Sequence, residues 1–424
     1  MTDVEEKSCC RACKASCIVP ILDLGEQYAS TFLAPGEAPH YMSPLQIVMC
    51  DPREGGCGLI QLKHTVNQSL LYNHYWYRSG VNESMRVALE DVVSDSVRRA
   101  NGLCPGDVVV DIGCNDGTLL QAYPDSVLRV GFDPAENALR DARAAIADGV
   151  FVHDYFSCSG YPCDQRAKIV TSIAMFYDLD DPHSFVADLG TILAEDGLWV
   201  IQMSYLPSML AQNAFDNICH EHLAYYTLSS IAPILACHGL AITDVTLNDV
   251  NGGSFRLYVQ HQSFSNGRVS RRVGQLLRAE REMELTTLRP YQEFARRVEE
   301  QKERLIQFVQ RVVREGKQVW VYGASTKGNT LLQYYGLDCA WITAAADRNP
   351  EKWGLRTVAT DIPIVSEEEA RKVQPDYLLA LPWHFIDTFV WREHHYLRQG
   401  GAFLVPLPEF RVVRCATAGP GLHR

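Results

Sequence analysis

The chain is short of positive charge: 39 lysines and arginines stand against 51 aspartates and glutamates, for a net charge of −12. A broad nucleic-acid surface needs the opposite balance, so no DNA or RNA partner is expected. A small anionic molecule stays possible, because a local pocket can differ in sign from the whole protein. Apolar runs approaching the ~18 residues of a membrane helix are missing too. The opening MTDVEEKS is acidic and polar, unlike a secretory or transit leader. No membrane partner is expected, and the cytoplasm is the default address. The 14 cysteines are too sparse in 424 residues for a disulfide framework, and read as buried thiols plus one metal site. Three signatures are also missing: the dinucleotide turn GxGxxG, a Walker lysine, and the zincin motif HExxH.

At ~100–200 residues per domain, the length suggests two or three domains. Residues 1–69 form a turn-rich module holding Cys9, Cys10, Cys13, Cys17, Cys50 and Cys57. Residues 70–265 begin with a helical pattern running to about Arg99, through the aromatic cluster Tyr72, Tyr75, Trp76 and Tyr77. Short β-branched runs (VVVDIG, LRVGFD, AKIVTSIAM, GLWVIQM, FRLYVQ) then alternate with helical segments, which predicts βαβ units and a mainly parallel sheet. Residues 266–316, rich in Arg, Glu and Leu, read as one or two long helices between domains. Residues 317–424 repeat the α/β pattern: KQVWVYGAS, a glycine turn, a helix, a strand ending at Asp347, then DYLLALPW and GAFLVPLP.

The most informative chemistry lies at residues 111–117 (DIGCNDG). A β-branched strand ends in Asp111, and Gly113, Asn115 and Gly117 lead into a helix, so backbone can approach a ligand at the carboxyl end of the sheet. The next strand ends in Asp133, about twenty positions on, where an acid binds ribose hydroxyls. Acidic groups at Asp111 and Asp116 suit a ligand with a cationic amino-acid end and a sulfonium, which is S-adenosylmethionine rather than a pyrophosphate. Asp154 and Tyr155 follow one strand later, where a polar residue meets the adenine or simply faces solvent.

Cys10-x2-Cys13 with Cys50 and Cys57 offers four thiolates for a structural zinc ion, in a segment too short to build its own core. Cys9, Cys17 or His64 could replace one ligand. Residues 215–226 (FDNICHEHLAYY) gather His220, Glu221 and His222. On an extended strand the two histidines share a face, and histidine titrates near neutral pH, as a general base requires. Asn251-Gly252-Gly253-Ser254 is either a hairpin turn or a substrate-facing loop. Tyr75 and Tyr77 either meet a ligand or belong to the core.

In combination, CRAC, CGLIQL (57–62), DIGCNDGTLL, HEHLAYY, NGGSFR and YGASTKGNTLL (322–332) resemble the sugar C-methyltransferase family, enzymes methylating C3 of nucleotide-linked 4-keto deoxysugars. The resemblance covers nearly the whole chain. It implies an α/β architecture: a class I methyltransferase Rossmann-like domain, an N-terminal zinc-binding module and a C-terminal Rossmann-like domain that helps hold a nucleotide-sugar. It also implies His222 as the base removing the C3 proton, Glu221 orienting it or binding a sugar hydroxyl, and Tyr77 or Tyr75 near donor and sugar. Lys327 and Asn329 either reach the nucleotide phosphates or cap a helix start. Asp178, Gln202 and Cys219 depart from the family pattern where substrate should sit. Transfer to oxygen or nitrogen of a related metabolite, and a zinc-stabilised binding protein with an inactive fold, are the competing readings. A monomer or weak dimer is expected.

Overall fold

The computed structural model describes residues 4–39, 41–72 and 75–415. Two compact units divide the chain, and they interleave along it. The first comprises residues 1–23, 44–210 and 220–292; the second comprises 24–43, 211–219 and 293–424.

The first unit is built on a seven-stranded sheet. Its strands are Val108–Ile112 (β1), Leu128–Phe132 (β2), Val150–Val152 (β3), Ala167–Ile173 (β4), Leu193–Ser204 (β5), Leu240–Asn248 (β6) and Ser254–His261 (β7). They lie in the order β6-β7-β5-β4-β1-β2-β3. β7 alone runs antiparallel to its neighbours, β5 and β6. β1 is buried at all five positions, as expected of a central parallel strand covered on both faces. The chain leaves β1 toward β2 on one side and β4 lies on the other, so the carboxyl ends of β1 and β4 form the switch point where α/β sheets bind ligands.

The N-terminal segment has more strand than its turn-rich composition predicts. Met42–Cys50 pairs antiparallel with Ile60–Leu62, and Ile60–Gln61 pairs onward with Ala224–Tyr225. The aromatic segment after residue 70 also differs from the helix predicted there. Helix Gln68–Tyr72 ends, and the next full helix is Glu83–Arg99. Between them residues 75–78 are non-helical, because their backbone groups bond to side chains around the β1 turn instead. The predicted helical link consists of two helices, Arg271–Glu282 and Arg289–Arg314.

The second unit has a six-stranded sheet: Val319–Tyr322 (β8), Ala345–Asp347 (β9), Ile364–Ser366 (β10), Tyr377–Ala380 (β11), Ala402–Val405 (β12) and Arg411–Val413 (β13). The order is β10-β9-β8-β11-β12-β13, the last strand antiparallel. This is the doubly wound order 3-2-1-4-5-6. Among the described residues no helix is long and apolar enough to cross a membrane.

Candidate active site

The β1 turn is held in an exact backbone path by its own side chains. Gly113 and Gly117 have φ of +76° and +75°. A Cβ at Gly113 would lie 3.3 Å from the Met175 side chain, so both torsion and space require glycine there. Asp111 is buried and accepts from Thr171 Oγ1 at 2.6 Å. Burial pushes its carboxyl up to about 7, against the lowering effect of that hydrogen bond. Asp133, at the end of β2, accepts from the Asn115 and Ala135 amides at 2.9 and 2.8 Å, and burial raises it as well. Two acids that resist ionisation at one sheet edge fit a ligand bringing its own positive charge and hydroxyl donors.

Asn115 and Asp116 do something the sequence did not suggest. Asn115 donates from Nδ2 to the Tyr77 carbonyl at 3.1 Å and accepts the Ser79 amide at 3.1 Å. Asp116 accepts the Gly80 amide at 2.8 Å and the Thr118 hydroxyl at 2.6 Å. Asp116 is therefore a fastening for local backbone donors rather than a cation site, as acids in turns commonly are. Together these bonds lay residues 77–80 beside the turn. The other end of that strap is fixed by Asn137, which exchanges two hydrogen bonds with the Tyr75 backbone, and by buried Arg78 on Asp141 at 2.9 Å. Asn137, Arg78 and Thr171 carried no signal in the sequence, since each acts on a partner far away in it. Tyr77 is 41% exposed on this strap. After β3, Asp154 accepts the Tyr155 amide at 2.7 Å and both side chains reach solvent; Tyr155 lies edge-on to Tyr72 at 6.5 Å.

A second group gathers in the same unit. His220 and His222 are both buried, and the segment carrying them is neither strand nor helix. The strand begins only at Ala224, where pairing with residues 60–61 becomes available. The His222 ring centroid lies 4.1 Å from that of Tyr177. Burial pushes the Tyr72 hydroxyl well up, and the charges of Asp178 and Glu221 raise it further. Tyr72, Asp178 and Glu221 thus share one electrostatic neighbourhood, with the Tyr75 ring tilted against Tyr72 at 5.9 Å. In sequence Tyr72 is only one member of an aromatic cluster. Gln202 turns to Asn248 (3.0 Å) and Arg256 (2.8 Å). Asn251 occupies the β6–β7 turn at φ +53°; β7 opens at Ser254, opposite Ser204 at the carboxyl end of β5, so this turn lies at the same sheet edge as Asp111.

Lys327 and Asn329 belong to the second unit, at the start of helix Thr326–Tyr335, which Ser325 caps. Lys327 Nζ donates to Asn217 Oδ1 at 2.6 Å. Neighbouring Asp216 is buried and accepts the Trp383 indole N–H at 3.0 Å. Asn329 is 1% exposed, and its amide N–H groups bond Ser30 Oγ and the Thr31 carbonyl, so it braces a chain segment and presents nothing to a phosphate.

The zinc module is compact. Sulfurs of Cys10, Cys13, Cys50 and Cys57 all lie within 4.8 Å of one another. Cys10–Cys57 is 3.6 Å and Cys13–Cys50 is 3.5 Å, close to the ~3.8 Å edge of a tetrahedron with Zn–S bonds of ~2.3 Å, and far longer than a disulfide. A Cβ at Gly56 would lie 2.6 Å from Cys50 Sγ, so only glycine lets the chain pass the cluster. Cys17 turns away to the Asp51 carbonyl, and neither Cys9 nor His64 is part of the group. The donor set fits a closed structural Zn²⁺ site.

The strand order, the glycine turn with its two acids, and the four-thiol module define a class I S-adenosylmethionine-dependent methyltransferase carrying a zinc-binding module. Residues 10–72 match a zinc binding domain, residues 85–245 a methyltransferase domain, and residues 249–408 a C-methyltransferase C-terminal domain. The chain is 32% identical over 380 residues to the C-methyltransferase NovU of Streptomyces niveus, covering 87% of each protein. It belongs to this C-methyltransferase family. Solved structures with some likeness include an S-adenosylmethionine-dependent methyltransferase from Clostridium acetobutylicum (11% identity, 42% of this chain and 92% of that one, TM-score 0.33). Another is the magnesium protoporphyrin IX methyltransferase of Synechocystis with bound S-adenosylmethionine (17%, 41% and 78%, TM-score 0.31).

Proposed function

We propose that this enzyme methylates C3 of a nucleotide-linked 4-keto deoxysugar through an enolate, with His222 as the base. The observation that carries the proposal is the burial of His222 against Tyr177, in the unit that also holds the β1 turn and the Tyr72–Asp178–Glu221 cluster. A proton beside a ketone is acidified by delocalisation onto oxygen, so one neutral imidazole held in place can remove it. Phenol donors such as Tyr72 or Tyr77 then stabilise the developing enolate oxygen, and the buried setting of the Tyr72 hydroxyl would strengthen its hydrogen bond. Glu221 orients the base or takes a sugar hydroxyl. S-Adenosylmethionine supplies an electrophilic methyl group for the enolate carbon. Asp111 and Asp133 would receive its amino-acid end and ribose, and the 75–80 strap, fastened beside that turn, would help orient the bound donor. Tyr75, Asp178 and Asn251 are the remaining candidates for substrate contacts in this unit, and Lys327 is the candidate in the second. The closeness to NovU, a C-methyltransferase, supports carbon as the acceptor atom.

The test is exchange of solvent deuterium into the carbon beside the ketone, using a panel of 4-keto sugar nucleotides without methyl donor. The wild type is expected to exchange and, with donor added, to give a C-methylated product by mass spectrometry. His222→Ala should lose both reactions while keeping cofactor affinity within about threefold, the mark of a group used only in the chemical step. Methylated product without exchange would move the acceptor to oxygen or nitrogen. Retained turnover in His222→Ala would place the base elsewhere.

A further inference from the structure

The two residues enclosed by the first cysteine pair both reach one loop of the methyltransferase sheet. Arg11 is 2% exposed. Its Nε donates to Asp180 Oδ1 at 3.2 Å, its Nη1 to the Leu62 carbonyl, and its Nη2 to Thr65 Oγ1 at 2.6 Å. Thr65 passes its own hydroxyl proton to Asp180 Oδ1 at 3.0 Å, and Lys7 holds Asp180 Oδ2 at 2.7 Å. Next to Arg11, the Ala12 carbonyl lies 2.9 Å from His183 Nε2. A carbonyl only accepts, so His183 carries a proton on Nε2, and in its neutral form Nδ1 accepts from His238 Nε2 at 3.0 Å. Between these two anchors, Asp181 caps helix Pro182–Ile192.

The anchored loop is the continuation of Tyr177 and Asp178, the ring against His222 and the carboxylate beside Tyr72. On its other flank the module's strand Ile60–Leu62 accepts the residues just after His222: Ala224–Tyr225 pairs with it, and the Leu62 amide donates to the Leu223 carbonyl at 2.9 Å. Packing alone does not explain a buried guanidinium, whose desolvation costs several kcal/mol where a methionine would fill the space. What Arg11 adds is a rigid planar fork that fixes three acceptors from two segments at once.

We infer that Arg11 is a positioning residue: it ties the zinc knuckle to the loop bearing Tyr177 and Asp178, so the metal module sets the acceptor half of the site and leaves the donor turn alone. The tie itself rests only on geometry. Its importance for turnover rests on the reading that Tyr177, Asp178 and His222 receive the acceptor.

The test compares amide hydrogen exchange in zinc-loaded wild type, Arg11→Met and Arg11→Lys, each saturated with S-adenosylhomocysteine. Zinc content is measured in parallel, along with turnover of thymidine- and uridine-diphosphate-linked 4-keto-6-deoxyglucose. Arg11→Met is expected to keep its zinc and cofactor affinity, to lose about tenfold or more protection at residues 176–181, and to leave residues 108–117 unchanged. Its kcat should fall with the KM for methyl donor unmoved, and Arg11→Lys should recover part of both. Asp180→Asn should give the same signature from the other partner, and it decides the matter if Arg11→Met does not fold. Lys14→Ala, an exposed contact 3.7 Å from Asp181, should change nothing. Unchanged protection at 176–181, or equal loss at 108–117, overturns the inference. A wild type that turns over neither sugar while the exchange signature persists leaves the tie standing and counts against the proposed substrate.

Discussion

Each unit carries a parallel sheet whose first strand runs into a glycine turn and whose second ends in an aspartate, yet the two turns are finished differently. In the first unit the hydrogen bonds to Asp111 and Asp133 among the described residues come from a hydroxyl and two amides, and burial raises both carboxyls although the charges of Arg78 and His153 partly offset it at Asp133. In the second, Asp347 is met by Lys352 Nζ at 3.5 Å, and that buried ammonium also donates to the Ala324 carbonyl at 2.7 Å, inside the turn itself. A Cβ at Gly323 would lie 2.7 Å from Pro382, and one at Gly328 2.6 Å from Leu381. The second turn is filled and neutralised by its own chain, while among the described residues no lysine or arginine bonds either acid of the first. Similar topology therefore says little about which sheet takes the methyl donor. The charge balance at the strand ends decides it.

The sharpest way to break this contrast is to fill the first turn as the second is filled. Gly113→Val meets both an unfavourable φ and Met175, and should weaken S-adenosylmethionine binding by about a hundredfold or more in calorimetry. Gly323→Ala should instead lower the melting temperature and leave that affinity alone. Loss of affinity in Gly323→Ala would mean the second turn shares in donor binding. The next effect in size comes from the neutralising lysine. Lys352→Met leaves Asp347 buried with only its backbone donor, and should cost about 3–5 kcal/mol in denaturant unfolding, again without touching cofactor affinity. A smaller loss would show that Asp347 takes up its own proton in the variant.

The mildest effect is in pH. The folded carboxyl of Asp111 sits at about 7, so it is largely protonated below that pH, and a cationic ligand must displace the proton. Affinity should rise by up to about tenfold per unit as pH approaches 7 from below, then level off above it. Binding at about pH 6 should release a proton, visible as a dependence of calorimetric enthalpy on buffer ionisation heat. Asp111→Asn should bind more weakly and without this slope. A slope that survives in Asp111→Asn would assign the proton to another group.

What the sequence made legible follows from the range of the interactions. The β1 turn could be read because its strand, glycines and acid are contiguous and each residue type has a local reason to be there. A four-donor site could be read in the cysteine module because a structural zinc needs that many thiolates, but only the fold excludes Cys9, Cys17 and His64 from it. The 75–80 strap could not, since it is fixed by Asn115, Asp116 and Asn137 acting on backbone groups, which have no periodicity, and by Asp141 on the Arg78 side chain. Asp116 looked like a ligand group for the same reason. The spacing of the two histidines left strand and helix both open, and the structure makes neither, because the partner strand at 60–62 engages the chain only from Leu223 onward. The assignment of residues 24–43 and 211–219 to the second unit depends on contacts with chain hundreds of positions away, such as Asn329 with Ser30 and Thr31.

That last pairing has a consequence during synthesis. Ser30 is separated from Asn329 by 299 positions, so a ribosome adding ~5–20 residues per second makes the two ends of this contact on the order of tens of seconds apart. Through that interval the loop at Ser30 and Thr31 has emerged without the Asn329 amide that braces it, while the zinc ligands on either side can already close around a metal. The nascent protein must carry this loop exposed from its first domain until nearly its last, and its vulnerability to proteases and to other chains is greatest then, before any catalytic group has a role.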